Sequence, residues 1–169
     1  MSKIDLYNGI KTDLTALRYT KGDGNTDTIK YIGLWRNQIQ NERYEIPFGC
    51  PAVLIEFETS NFMEGSSKVY QEIDMTVRLH ILFETKITDD LDILLLSQAI
   101  YAQMQFKQYG YWGLMKRRAE IQNFDHDNVQ DFIQEYDCGK GFDYSADQRN
   151  TTTAEIDIIN INIENELKP

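Results

Sequence analysis

Cysteine, histidine and proline are all scarce in this 169-residue chain, with two, two and three residues respectively. Cys50 and Cys138 belong to no C-x-x-C pair and to no Cys/His cluster with metal-ligand spacing. That excludes a disulfide scaffold and a structural zinc site, and it fits a reducing compartment. With His80 and His126 the only histidines, and no serine or cysteine in a nucleophile motif, a hydrolytic triad has no foundation. Long apolar runs are missing as well. The longest fall far short of a membrane span, and Met1-Ser2-Lys3-Ile4-Asp5 lacks the apolar core of a signal peptide, so the expectation is a soluble protein made in the cytoplasm, with no membrane partner. Basic charge is also short: 17 Lys and Arg stand against 27 Asp and Glu, a formal net charge of −10. Such a chain repels the phosphate backbone as a whole, which argues against tight general DNA or RNA binding. It leaves room for a surface that DNA passes without adhering.

What is present is a strongly patterned sheet. Ile73, Met75, Val77, Leu79, Ile81 and Phe83 fall on one parity, and Asp74, Thr76, Arg78, His80 and Glu84 on the other, with Leu82 the one apolar intruder. Period two means one buried face and one wet face. Straight, the stretch from Tyr70 to Glu84 would span about 50 Å, whereas a compact domain of this length is only about 40 Å across. The strand is therefore expected either to bend strongly or to project as an arm. Its partner is Pro51-Ala52-Val53-Leu54-Ile55-Glu56-Phe57, apolar on both sides near its start and so expected to be central, with Asn61 to Ser67 as the hairpin tip.

The remaining elements follow from spacing. Ser2 is placed to cap a helix to about Tyr19 whose stripe is Leu6, Ile10, Leu14 and Leu17, and Lys21-Gly22-Asp23-Gly24-Asn25 ends it. Ile29 to Trp35 reads as a first strand and Asn37 to Glu45 as a polar connection. Thr88-Asp89-Asp90 caps a second helix over Asp90 to Lys107; Leu91, Ile93, Leu94, Leu95 and Leu96 surround its first turns, so one side must cover the sheet and the other must find a subunit partner or the first helix. After the aromatic loop Tyr109 to Gly113 come strands at Met115 to Phe124, Val129 to Tyr136 and Thr152 to Ile163, then a polar tail over 163–169. The fold class expected is α+β: one domain over 1–169, a single mixed or antiparallel sheet with a long β-hairpin, packed by an N-terminal and a central helix.

That order of parts, with Pro47-Phe48 leading into Pro51-Ala52-Val53-Leu54-Ile55-Glu56-Phe57, resembles the tail terminator, tail-completion or head-tail joining proteins of tailed bacteriophages, over roughly residues 1 to 163. The resemblance implies a structural virion protein of the tail or neck, assembled in the host bacterial cytoplasm. It implies a homo-oligomeric ring, commonly a hexamer, that caps the tail tube and joins it to the head-side connector while DNA passes through the lumen. It implies no catalysis and no cofactor. Within that frame, Asn61, Phe62, Met63 and Glu64 at the hairpin tip, with the aromatics Tyr111 and Trp112, are the expected subunit contacts.

Other clusters have plainer readings. Glu84-x-Lys86 has the spacing in which some metal-dependent nucleases hold a divalent ion and stabilise attack, with Glu56 or Glu58 as a further carboxylate; Asp74, ten residues before Glu84, lies about 33 Å away on a straight strand. Asp125-His126-Asp127 reads as a solvated turn. Lys116-Arg117-Arg118 beside aromatics could hold single-stranded nucleic acid, but it reads better as a strand edge kept from aggregating by charge. Asp89-Asp90-x-Asp92 is accounted for by a helix N-terminus. A partner-binding adaptor acting by strand addition at the hairpin edge is the third class of function considered.

Overall fold

The computed structural model describes residues 3–36, 48–64, 71–84, 89–123 and 129–143. Helix α1 (Lys3–Ala16) buries Leu6, Ile10 and Leu14, the expected stripe. It stops short of the expected Tyr19 because Arg18 donates to the carbonyls of Thr15 and Leu17, and Tyr19 is already part of a small ladder. That ladder pairs β1 (Tyr19–Thr20) with β2 (Thr26–Asp27) across the glycine turn, where Gly24 takes φ +83°. Ser2 and its cap lie outside the described residues, as do Asn37 to Glu45, Thr152 to Ile163 and the polar tail.

The main sheet contains β3 (Tyr31–Leu34), β4 (Ala52–Glu64), β5 (Gln71–Glu84), β6 (Lys116–Asn123) and β7 (Val129–Asp143), in the order β3-β4-β5-β7-β6. Only β3 and β4 run parallel; every other neighbouring pair is antiparallel. Helix α2 (Asp90–Met104) sits between β5 and β6 in sequence, capped by Asp89, whose carboxylate accepts from the Leu91 N–H at 2.9 Å. The architecture is the expected α+β fold with a mixed sheet. The hairpin is present as β4 and β5, in register from Ala52↔Leu82 to Glu64↔Gln71.

Of the two outcomes expected for the long strand, a strong bend or a projecting arm, a free two-stranded arm is not found among the described residues. Strand β7 runs on to Asp143, well past the expected end at Tyr136, and flanks β5 along its whole length from Glu84↔Val129 to Gln71↔Asp143. The inward residues of β5 are buried from Ile73 to Phe83. Length is absorbed by bulges: one in β4 between Ser60 and Met63, and one in β7 opposite Asp74 to Thr76, where Gly139 adopts φ +59°. Each inserts extra backbone and tightens the local twist.

The core lies on one face. Val53, Ile55, Val77, Leu79, Ile81 and Tyr136 meet Leu6, Ile10 and Leu14 of α1 and Ile93, Leu96, Ile100 and Met104 of α2. Near the far end the loop after α2 takes over: Trp112 lies on Gly141, where an added Cβ would come within 2.0 Å of the indole ring. This is why Ile73, paired with Gly141, remains buried beyond the reach of the helices.

Candidate functional site

The opposite face of the sheet carries most of the charged chemistry. Strand alternation places Arg78, His80 and Leu82 of β5 on it, and the register sets them beside Glu56, Leu54 and Ala52 on β4 and Glu135, Ile133 and Asp131 on β7. Arg78 is the hub: it meets Glu135 at 2.8 Å, Glu58 at 2.5 Å and Glu56 at 3.5 Å. The bond to Glu135 first, and the fields of Glu58 and Glu56 after it, hold the guanidinium yet more firmly protonated against its partial burial. Arg118 approaches Glu135 from β6 at 3.7 Å, and Lys140 pairs with Glu72 at 3.0 Å.

One step along β5, His80 is held between two carboxylates, with Nδ1 3.1 Å from Asp131 Oδ2 and Nε2 3.3 Å from Glu56 Oε2. The indole of Trp35 stacks on its ring at 3.9 Å with a 2° interplanar angle. Asp131 is fully buried, and its Oδ1 has no hydrogen-bond partner. A small apolar cluster of Ala52, Leu54, Leu82 and Val129, edged by Trp35, Phe48 and Cys50, closes this end of the face. Burial, with the field of Glu84 second, pushes the Cys50 thiol up to about 11, so it is a poor nucleophile at neutral pH.

Toward the other end the face is wet, and among the described residues Glu56, Glu58, Glu72, Asp74, Glu135 and Asp137 outnumber Arg78, Lys116, Arg118 and Lys140 there. The result is an ion-paired surface with negative charge in excess. Among the described residues, no three Asp, Glu, His or Cys side chains converge to hold a metal ion. Glu56 stands opposite Arg78, six positions from Glu84 on β5, which separates the two glutamates by about 20 Å. Lys86 and Asp125-His126-Asp127 lie outside the described residues.

The expected contact residues divide. Asn61, Phe62, Met63 and Glu64 belong to strand β4 and not to a turn, because the bulge after Ser60 lets pairing continue to Glu64↔Gln71. Tyr111 is 62% exposed. Trp112, expected at a subunit contact, is instead core: Gly141 leaves room for its ring, and only 1% of it is accessible.

On α2, Ile93 and Leu96 are buried, whereas Leu91 and Leu94 are half exposed at 50% and 53%. Leu91 leans on the glycine turn, 2.9 Å from where a Cβ of Gly22 would stand. Asp92 is committed to that same turn, accepting from the Gly22 N–H at 2.7 Å and pairing with Lys21 at 3.3 Å. The basic run is a sheet edge, as expected: Lys116 and Arg118 are exposed, while Arg117 stacks over Tyr101 at 3.8 Å. Sequence reasoning missed Asp131, Trp35 and the Arg78 hub; a hint was available in the polar parity of β5, but not in which strands would lie beside it. No protein-family model matches this chain, and no curated protein matches it either.

Proposed function

We propose that this chain is a non-enzymatic, ring-forming subunit of the phage tail-terminator kind, which caps a tail tube and joins it to the head-side connector. The observation that carries the reading is the two-sidedness of the sheet: helices cover one face, and the other is an ion-paired surface with excess negative charge. Copies arranged around an axis with that surface inward would form an opening whose like charge repels DNA phosphates, so that the nucleic acid passes without sticking. The half-exposed Leu91 and Leu94 on α2 fit a protein that buries further surface on assembly. The order of elements in the sequence points to the same family.

Mass photometry and electron microscopy of the purified chain, alone and with isolated phage tail tubes, test the proposal. The expected result is a closed ring that seats on tube ends. A monomer at every concentration, with no tube association, would overturn it.

A further inference from the structure

Resting on that ring reading, we infer that the subunits join head to tail by adding strand β6 of one copy to the open outer edge of β4 in the next, so that one sheet continues around the ring. Strand β3 covers β4 only from Ala52 to Ile55. The carbonyls of Pro51 and Ile55 accept from the Lys30 and Trp35 N–H groups on that side, so odd-numbered residues of β4 turn their backbone groups outward. Among the described residues nothing pairs with the outward groups of Phe57 and Thr59. At the other end of the sheet, among the described residues, β7 is the one strand that pairs with the Lys116 to Gln122 stretch of β6. A free edge of this kind is a template for another strand.

Charge chooses which edges meet. The open stretch of β4 carries Glu56 and Glu58, whereas β6 presents the exposed Lys116 and Arg118. Antiparallel pairing of β4 with β4 about Phe57 sets Glu56 against Glu58, which is penalised. The unlike edges attract, and a contact between unlike edges is heterologous, the kind that generates a ring when its rotation closes. Polarity agrees. Strand β4 is antiparallel to β5, β5 to β7 and β7 to β6, so β6 runs opposite to β4, and neighbours in the same orientation meet antiparallel.

Two variants, each blocked at one edge, test this. Thr59→Pro removes an outward donor without touching the β4–β5 ladder. Lys116→Glu with Arg118→Glu turns the β6 edge acidic. Each variant alone is expected to lose the ring and run as a monomer by mass photometry, with circular dichroism matching the wild type. Mixed, they retain one competent edge each and should form a 1:1 pair at twice the 19.8 kDa chain mass and nothing larger. In the wild type, amide exchange at Phe57 and Thr59 should be fast at high dilution and slow by about tenfold or more on assembly. Rings that survive in both variants would overturn the edge contact while leaving the ring reading standing. A self-dimer of either variant, or Phe57 and Thr59 amides already protected in the monomer, would also overturn it. A wild type that never assembles would instead remove the ring reading on which the contact rests.

Discussion

The two faces of the main sheet use the same strands for different ends. On the helix-covered face, Val77, Leu79 and Ile81 alternate inward with no charged side chain between them, and stability comes from close packing. On the other face, Arg78 and His80 occupy the intervening positions and are held by carboxylates from both neighbouring strands. A surface of paired charges contributes little to folding when exposed, yet it fixes where charge sits. One face is built for cohesion and the other for a defined potential.

Alkaline titration should expose the difference most strongly. Burial, with the field of Asp27 second, pushes the Tyr19 hydroxyl up to about 12. Burial also raises Tyr109, helped by its 2.6 Å bond to Asp13, and raises Tyr136 inside the core. All three pack on the helix side. The folded state keeps protons that the unfolded chain releases above about pH 10, so this stability is complete below pH 10 and is lost as pH rises through the folded values. Urea midpoints measured from pH 8 to 12 should begin to fall above about pH 9, where the buried Cys50 and Cys138 thiols resist ionisation, and fall most steeply above 10.

Removing Trp112 comes next: Trp112→Ala should cost about 3–5 kcal/mol by equilibrium denaturation, since it empties the cover over Gly141 and Ile73. On the charged face, His80→Phe preserves a ring against Trp35 but strands Asp131 without its partner, and should cost about 2–3 kcal/mol. Adding Asp131→Leu should recover part of that loss, and the non-additivity in the double-mutant cycle measures the pair. Least of all, Glu58→Gln at the exposed rim should change stability by under about 1 kcal/mol. Were Glu58 to cost as much as Trp112, the division of labour between the faces would be wrong.

Much of this was legible beforehand. The parity from Ile73 to Phe83 announced the buried side of β5, and Leu6, Ile10 and Leu14 announced the face of α1, because both patterns are local and repeat with the element's own period. The charged face was not, because it depends on register between distant segments. Nothing near Arg78 says that Glu135 will stand opposite it, and nothing near Asp131 says that it will be buried beneath His80 and Leu82. Trp112 misled for a related reason. An aromatic in a glycine-flanked loop looks exposed until Gly141, nearly thirty residues on, is seen to leave the space it fills.

The stacked Trp35 and the buried Trp112 are the chain's only tryptophans, and they lie on opposite sides of the sheet. The molecule thus carries its own pair of optical probes. Indole emission from a Trp112→Phe chain would come wholly from the charged side, and that from a Trp35→Phe chain wholly from the packed side. Assembly, titration and unfolding could each then be followed by colour, one surface at a time, with no added label.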